Sequence, residues 1–341
     1  PGPRGWAAMA AAAAPRLAAP PEEGTSEAPR TEVRYLSASL RGRDGRASYT
    51  AETRRQVTET HEVALHDGRR LLAGSPEAQL ACGGFALVRG FRSAVHDDLD
   101  KIENPAVYRS TSFEESAASR SAREVYFAEC EALVRRLTGA DAAFHISYAV
   151  RNGPGNKLSS GVEYLTAYAT FAHTDYTSEI LPGAWKMLVK RGIPEDVARR
   201  ARCAFFNVWQ PTRVPVEQHP LALLDWTSVD PEDVMHVTLG YSVTPSSDGR
   251  EIKQPPIGQV LHNPRHRWYF FPEMQTDEAL VFTQVDDREG RPRHSFHTAV
   301  KHTVRANPVA RQSVEVRILC AFLDPRDAAR GAPTPVPEAK L

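Results

Sequence analysis

The chain has 341 residues, and its 42 Lys and Arg are balanced by 42 Asp and Glu, so the formal net charge is zero. A protein that binds nucleic acid by neutralising phosphates needs a basic excess, which is absent here. Hydrophobic residues make up 41% and charged residues 25%, as in a soluble globular protein, and no apolar run is long enough to span a membrane. We therefore expect a folded protein that binds neither nucleic acid nor a membrane.

The cysteines and the N-terminal segment bear on the cellular compartment. The four cysteines are scattered and form no CxxC pair, which favours a reducing compartment, and we expect a cytoplasmic protein. Two Arg precede the first acidic residue, Glu22, which leaves an organelle transit segment as the alternative. The chain begins with Pro1, so Met9 is a candidate start.

Composition and pattern divide the chain into four segments. Residues 1–30 and 326–341 are rich in Pro and small residues and predict disordered tails, because they bury too little apolar surface to offset the entropy of ordering. Residues 31–139 mix short strand-like runs with polar turns and predict an N-terminal α/β elaboration packed on the core. Residues 140–325, where strand signals dominate, predict the core itself.

Helices are expected at three places. Ser121 and Glu124 have the spacing of a capping box, and Gly139 is a natural terminator. Between them runs an apolar stripe: Val125, Leu133, Val134 and Leu137. Two shorter helical segments are predicted at 184–191 and 194–202.

Short, β-branched or aromatic runs separated by Pro, Gly and Asp predict the strands. Two lie early, at 31–39 and 85–88, and the others lie at 143–150, 204–209, 234–243, 268–271, 279–285 and 314–322. Many short strands with few helices favour a sandwich or jelly roll over a parallel α/β sheet. The GxGxxG and P-loop motifs are absent, which argues against a nucleotide-binding fold.

The sharpest local feature is the pair His173 and Asp175. Residues two apart in a strand point to the same face, so both side chains can reach one metal ion. A surface His near an Asp is the alternative. Five of the twelve His residues fall within 262–302, and one of them can supply a third ligand: His262, His266, His294, His297 and His302. Two His and one carboxylate suit non-haem Fe(II) oxygenases, and zinc hydrolases use the same set.

A charged strand follows at residues 311–317. Alternation places Arg311, Ser313, Glu315 and Arg317 on one face, opposite Val314 and the other apolar residues. An Arg fork beside a Ser hydroxyl can bind a carboxylate at two points. A solvated charge pattern on an edge strand is the alternative.

The order of these motifs resembles that of the Fe(II)/2-oxoglutarate dioxygenases. More narrowly, the chain resembles the small-molecule hydroxylase/desaturase family that includes the cephamycin methoxylation component and gibberellin-desaturase-like proteins. The resemblance covers about residues 31–323. The matching pieces are Gly84-Phe85, Thr138-Gly139-Ala140, Arg151, His173 with Asp175, Asn207-Val208-Trp209, Pro220-Leu221-Ala222, Asp225, Trp268-Tyr269-Phe270, Asp277-Glu278, Phe296-His297-Thr298-Ala299 and Arg311-Gln312-Ser313-Val314-Glu315-Val316-Arg317.

The resemblance implies a mainly β fold with flanking helices, built on a double-stranded β-helix (a cupin-like jelly roll). It also implies an Fe(II) site of His173, Asp175 and His297. His297 is preferred over His294 because it stands where the family has a His-Thr pair. Arg311 and Ser313 would bind the 5-carboxylate of 2-oxoglutarate.

Further site residues are implied with alternatives beside them. Asn207 and Tyr269 are candidates for co-substrate binding, against roles as a satisfied core Asn and a core aromatic. Arg151 and Trp209 are candidates for substrate binding, and a structural ion pair is the alternative for Arg151. The family has Arg-Pro after the Trp, whereas this chain has Gln210 followed by Pro, which puts one contact of the site in question.

The implied activity is hydroxylation or desaturation of a small-molecule metabolite, as in secondary metabolism, with O2 consumed and succinate and CO2 released. A zinc-dependent hydrolase using the same triad is one alternative, and a non-catalytic jelly-roll binding protein is another. The substrate, the choice between hydroxylation and desaturation, and the oligomeric state stay open.

Overall fold

The computed structural model describes residues 28–42, 46–49, 56–71, 74–104, 114–153, 168–239, 243–245, 251–253 and 256–327. Most of both expected tails lies outside the described residues. Where they are described, Arg30 begins the first strand, and Asp327 is buried and accepts a 2.9 Å hydrogen bond from Arg200. The folded part therefore reaches slightly into both segments that were expected to be tails.

The described residues form sixteen strands and four α-helices. The strands are β1 (Arg30–Leu36), β2 (Arg46–Tyr49), β3 (Thr58–Asp67), β4 (Phe85–Val88), β5 (Ala142–Arg151), β6 (His173–Thr174), β7 (Arg202–Pro211), β8 (Leu221–Leu224), β9 (Val234–Leu239), β10 (Val243–Pro245), β11 (Glu251–Lys253), β12 (Ile257–Val260), β13 (Trp268–Phe270), β14 (Ala279–Val285), β15 (His297–Ala299) and β16 (Ser313–Phe322). The helices are α1 (Pro76–Gly83), α2 (Ala117–Thr138), α3 (Leu181–Lys190) and α4 (Glu195–Ala198).

Two sheets hold nearly all of these strands. The larger has nine, in the order β1-β3-β13-β8-β15-β6-β12-β9-β2, and the smaller has five, in the order β4-β14-β7-β16-β5; β10 and β11 form a separate hairpin. Pairing is antiparallel except between β3 and β13 and between β2 and β9. The N-terminal elaboration is thus woven into the core, because its strands extend the larger sheet at both ends and edge the smaller one.

The five-stranded sheet is buried on both faces. On its outer face α2 packs its apolar stripe, including Tyr126 and Phe127, against residues such as Val208 and Val316. The alternate residues of the same strands, such as Asn207, project toward the nine-stranded sheet. Polar side chains on this inner face are therefore enclosed between two sheets, where each must find a partner.

Helix α2 begins earlier than the sequence predicts. Its N-cap is Ser116, whose hydroxyl accepts a 3.1 Å hydrogen bond from the Ser119 backbone N–H. The predicted capping box at Ser121 and Glu124 is wrong, because most residues before it are good helix formers and Ser116 caps the helix five residues earlier. The predicted end is confirmed, since Gly139 has φ 70° and caps the helix.

Other helices and strands also begin or end at residues different from those predicted, where strand pairing or a proline sets the boundary. Pro182 lies in the first turn of α3 and lets it start at Leu181 rather than at 184. Helix α4 stops at Ala198, since Arg202 already belongs to β7. The strand expected at 234–243 is described as β9 up to Leu239 and as the first residue of β10, and residues 240–242 lie outside the described residues. Six strands lie outside the predicted runs and outside the His173 segment: β2, β3, β8, β11, β12 and β15. Each is defined by its neighbours in the sheet more than by its own pattern.

The free cysteines and the character of the helices bear on the expected compartment. All four cysteines are free: Cys82, Cys130, Cys203 and Cys320. Among the residues that the structure describes, no helix has both the length and the apolar character needed to cross a membrane. The cytoplasmic location stays a prediction.

Candidate active site

Three side chains that can bind a metal meet at the centre of the nine-stranded sheet. His173 on β6 and His297 on β15 are direct cross-strand partners, and Asp175 follows β6. One potential ligand atom from each lies within 4.8 Å of the other two. All three are shielded from solvent, with the side chains of His173 and Asp175 10% and 13% exposed. The predicted ligand set is therefore brought together.

The backbone orients both imidazoles. His173 Nδ1 donates to the carbonyl of Phe171 at 2.9 Å, and His297 Nδ1 donates to that of Ser295 at 3.2 Å. These bonds leave the Nε2 atom of each ring for a metal, which is the usual arrangement of a ligating His.

Burial and neighbouring charge set the protonation states of the triad. Burial lowers the pKa of His173 to about 4, with a further contribution from His297, and burial likewise lowers the pKa of His297. Burial opposes ionisation of Asp175, but the Arg317 guanidinium more than offsets it and lowers the pKa of that carboxyl. At neutral pH the triad offers two neutral imidazoles and a carboxylate, the forms that bind a metal.

The carboxylate of Asp175 reaches across to the five-stranded sheet. Arg317 donates from Nε to Oδ2 at 2.8 Å and from Nη2 to Oδ1 at 3.0 Å. Asn207 Nδ2 also donates to Oδ2, at 2.8 Å, and to Glu315 Oε1 at 2.5 Å. The Asp175 backbone N–H donates to Gln284 Oε1 at 2.7 Å. Three strands of the five-stranded sheet therefore hold this one carboxylate, which follows β6 of the nine-stranded sheet.

A second polar site surrounds Arg311, which is 3% exposed. Its guanidinium carbon lies 4.2 Å from the ring centre of Tyr168 and 5.2 Å from that of Trp209. Its Nε and Nη1 atoms and the Ser313 hydroxyl have no hydrogen-bond partner among the described residues. Burial lowers the pKa of Arg311 to about 10, and the charge of Arg151 adds to the effect. A buried cation with free donors fits a carboxylate ligand such as that of 2-oxoglutarate.

The Tyr269 side chain lies on the same face of the nine-stranded sheet as those of His173 and His297. In-register pairs run from Tyr269 to Leu223 and from Leu223 to His297, so these side chains share one face. Tyr269 is therefore two strands, or about 10 Å, from His297. Its buried hydroxyl has no hydrogen-bond partner in the described part of the chain.

Arg151 lies at the end of β5 and is the direct partner of Ser313 on β16. It therefore points to the interior face and is only half-buried. Trp209 lies on the same sheet and is buried. Both candidate substrate residues thus border the Arg311 site.

Gln210 does not take part in the site. It is fully buried on the opposite face of β7, where Oε1 accepts a 2.9 Å hydrogen bond from the Tyr126 hydroxyl. Its Nε2 donates to the carbonyls of Phe91 at 3.1 Å and Thr276 at 2.6 Å. The departure from the family pattern at this position therefore lies among the contacts between α2 and the sheet.

The other His residues of the 262–302 window are outside the triad. His294 is buried and donates from Nδ1 to the Gln284 carbonyl at 2.8 Å. Two residues that hold Asp175 had been given no role from sequence, Arg317 and Gln284. The alternation from Ser313 through Glu315 marked the face of Arg317. Nothing in the local pattern marks Gln284, whose position depends on an irregularity in β14.

Comparison with known proteins agrees with this geometry. The family model described as the oxidoreductase/YMDC permease-like domain matches residues 33–321. The chain belongs to this family. The hydroxylase/desaturase efuI of Hormonema carpetanum is 26% identical over 219 residues, which cover 60% of this chain and 72% of that protein. The Fe(II)/2-oxoglutarate-dependent dioxygenase nvfI of Aspergillus novofumigatus is 30% identical over 198 residues, 57% of this chain and 65% of that protein.

A solved structure shows the same fold. A variant of the iron and alpha-ketoglutarate-dependent endoperoxidase NvfI superposes with a TM-score of 0.65 at 23% identity, covering 89% of this chain and all of the other. The predicted mainly β jelly roll is thereby confirmed, as is the resemblance to the Fe(II)/2-oxoglutarate oxygenases and their hydroxylase/desaturase members. Neither the zinc hydrolase nor the binding-protein alternative finds support in these relatives.

Proposed function

We propose that this chain is an Fe(II)- and 2-oxoglutarate-dependent oxidoreductase that hydroxylates or desaturates a small-molecule metabolite, consuming O2 and releasing succinate and CO2. The observation that carries the proposal is that the protein has both a buried His/Asp/His triad and, at Arg311 and Ser313, buried polar groups that lack a hydrogen-bond partner among the described residues. A zinc hydrolase would account for the triad but would leave the buried Arg311 cation without a purpose.

The metal site consists of His173, Asp175 and His297. Iron bound there, together with 2-oxoglutarate, supplies the oxidising chemistry by activating O2. The protein orients the ligands and keeps the site dry. Phe171 and Phe282 contribute to this, with ring centres 4.6 Å and 4.9 Å from those of His173 and His297 respectively.

The co-substrate's distal carboxylate would bind Nε and Nη1 of Arg311 and the hydroxyl of Ser313, none of which has a hydrogen-bond partner within the described ranges. The Tyr269 hydroxyl would add a third donor from the facing sheet. Tyr168 supports Arg311, since its ring lies under the guanidinium and its hydroxyl donates to the Arg311 carbonyl at 2.7 Å. Such preorganisation reduces the entropy lost when the co-substrate binds.

Asn207 takes a different role from the one that the resemblance implied. Both hydrogens of its amide nitrogen are engaged, one with Asp175 and one with Glu315. It therefore has no donor left for the co-substrate, and its remaining oxygen would repel a carboxylate. We propose instead that Asn207 orients Asp175, the carboxylate ligand of the metal.

On the substrate side we assign Arg151 and Trp209. Arg151 brings a second cation to the interior face, next to Ser313, where it can bind an anionic or strongly polar group of the substrate. Trp209 lies against Arg311 and would separate the co-substrate carboxylate from the substrate.

The test is anaerobic reconstitution. Protein given Fe(II) and 2-oxoglutarate should show a weak visible charge-transfer band, and exposure to O2 should produce succinate. The Asp175→Ala variant is the control and should show neither. Protein that instead retains zinc, shows no band and forms no succinate would contradict the proposal.

A further inference from the structure

Glu315 is a buried carboxylate on the inner face of β16, and only one of its oxygens contacts another described residue. Oε1 accepts a hydrogen bond from Asn207 Nδ2 at 2.5 Å and lies 3.7 Å from Arg317 Nη2. Burial and the charge of Asp175 raise the pKa of Glu315, although Arg317 and Arg151 oppose the shift. The second oxygen, Oε2, is therefore suited to a further hydrogen-bond donor, which the described residues do not supply.

The residues around Glu315 form a grid of cross-strand pairs on this inner face. Glu315 is in direct register with Trp209 on β7 and with Ala149 on β5. The row nearer Asp175 consists of Asn207, Arg317 and Ser147, and the row nearer Arg311 consists of Pro211, Ser313 and Arg151. Ala149 is the smallest of the nine side chains, so the grid has its lowest point there, beside Glu315.

The grid opens to solvent on the side of β5. Asn207 and Trp209 on β7 are 0% and 2% exposed, whereas Glu315 and Ala149 are each 8% exposed. Ser147 and Arg151 on β5 are only half-buried. Strand β5 is the last of its sheet, and no described strand pairs with its other edge. A small molecule can therefore reach Glu315 across β5, on the side away from Trp209.

We propose that the substrate lies over Ala149 and that Glu315 is a specificity-determining residue, which accepts a hydrogen bond from a hydroxyl or ammonium group of the substrate. This inference rests on the proposed function, because it concerns the substrate of the same site. Arg151 lies diagonally across from Glu315, with about 7 Å between their Cβ atoms. The substrate class is therefore an organic acid with a hydroxyl or amino group a few bonds from its carboxylate.

The test uses three probes that differ at one carbon: 3-phenylpropionate, 3-phenyllactate and phenylalanine carry a hydrogen, a hydroxyl and an ammonium beside the carboxylate. The protein is loaded with Mn(II) and saturating 2-oxoglutarate, and the broadening of probe NMR signals by the metal gives each dissociation constant. The hydroxyl probe, the ammonium probe or both should bind about tenfold or more tightly than 3-phenylpropionate, because only they can donate to Glu315. Equal binding of all three, or binding of none, would overturn the inference.

The first variant, Glu315→Gln, keeps an acceptor for Asn207 but replaces the other oxygen by an amide nitrogen, which cannot accept a hydrogen bond. Any preference for phenylalanine over 3-phenylpropionate should disappear, and that for 3-phenyllactate should shrink less, because a hydroxyl can accept instead. A purely structural role would weaken all three probes equally. Glu131→Gln is the matched control, since Glu131 accepts from the His145 backbone N–H of β5 at 2.8 Å on the α2 side of the sheet. It should keep the preference.

The second variant, Ala149→Val, adds two methyl groups where the substrate is proposed to lie. It should weaken binding of every probe that binds the unmodified protein by about tenfold, while Val remains compatible with a strand. Unchanged probe affinities in Ala149→Val together with an unchanged preference in Glu315→Gln would overturn this inference. Absence of Mn(II) binding to the unmodified protein would instead contradict the proposed metal site.

Discussion

His173 and His297 are direct partners on two adjacent antiparallel strands, with ring centres 4.4 Å apart, although 124 residues separate them in the chain. Opposed residues in an antiparallel pair have Cβ atoms about 5 Å apart, a distance that suits two ligands of one metal. The ladder between β6 and β15 thus defines the site before any metal binds. The following predictions test what this geometry implies.

The first prediction separates His297 from His294. Replacing His297 by Ala removes a proposed ligand and should abolish stable iron binding. In His294→Ala iron binding should largely persist, because that ring bonds the Gln284 carbonyl; the loss should instead be about 1–3 kcal/mol in unfolding free energy. Anaerobic iron titration and urea unfolding measure the two effects. The reverse pattern would move the third ligand to His294.

The second prediction concerns the buried cation. Arg311→Ala should raise the dissociation constant for 2-oxoglutarate by about 30-fold or more, because it removes the buried cation that we propose binds the co-substrate carboxylate. Iron affinity should change little. Arg305→Ala is the control, since Arg305 lies in the same loop but is exposed and pairs with Glu217. Equal effects of the two substitutions on 2-oxoglutarate binding would argue against a carboxylate site at Arg311.

The third prediction concerns the close packing of Gly258 on β12 against Thr174 on β6. A Cβ added at Gly258 would overlap the Cγ2 methyl of Thr174, the residue between two proposed ligands. Gly258→Ala should cost about 1–3 kcal/mol of unfolding free energy and weaken metal binding. Adding Thr174→Ser removes the methyl but keeps the hydroxyl bonded to Gln284, so the double variant should recover both properties. Failure to recover would place the damage elsewhere.

The fourth prediction concerns Gln210. Gln210→Leu leaves the Tyr126 hydroxyl and two backbone carbonyls without their partners. It should lower the free energy of unfolding by about 2–3 kcal/mol. The KM for 2-oxoglutarate should stay unchanged, because the side chain faces α2. A raised KM at unchanged stability would show that this position contacts the co-substrate.

The fifth prediction concerns the pH dependence of stability. Burial lowers the pKa of His266 from 6.5 to about 4, partly opposed by Asp233. Between these values the unfolded chain binds a proton that the folded protein does not, so stability is complete above about pH 6.5 and falls as the pH drops toward 4. The lowered pKa of His266 contributes at most about 3 kcal/mol to this change in the free energy of unfolding.

The variant His266→Phe keeps a ring against Tyr35, on which His266 stacks. It should lose less stability than the unmodified protein between pH 7 and pH 4.5 in urea unfolding. A measurement at pH 8 gives the cost of the substitution that does not depend on pH. Parallel stability curves for the two proteins would contradict the assignment.

Much of the fold could be predicted from local pattern. The strands at 85–88 and 279–285 have the predicted bounds, and Gly139 ends its helix as expected. Alternation along residues 311–317 correctly separated the interior polar face from the apolar face that packs on α2. These features succeed because each depends on the periodicity or the backbone preference of residues close together in the chain.

Part of the candidate site could also be predicted from local sequence pattern. The two-residue spacing of His173 and Asp175, and that of Arg311 and Ser313, is a local property that a strand translates into a shared face. The third proposed metal ligand could not be predicted from local pattern. Composition and spacing left five His residues open, and only the resemblance preferred His297.

Tertiary structure decided what depends on pairing between distant segments. The register of β6 with β15 places His297 opposite His173, and the packing of the two sheets brings Arg317 to Asp175. It also turns Gln210 toward α2 and away from the site. Local sequence determines which face a side chain takes along its own strand. Which strand lies opposite is determined by the burial and hydrogen bonding of the whole sheet, and residues far apart in the chain decide that together.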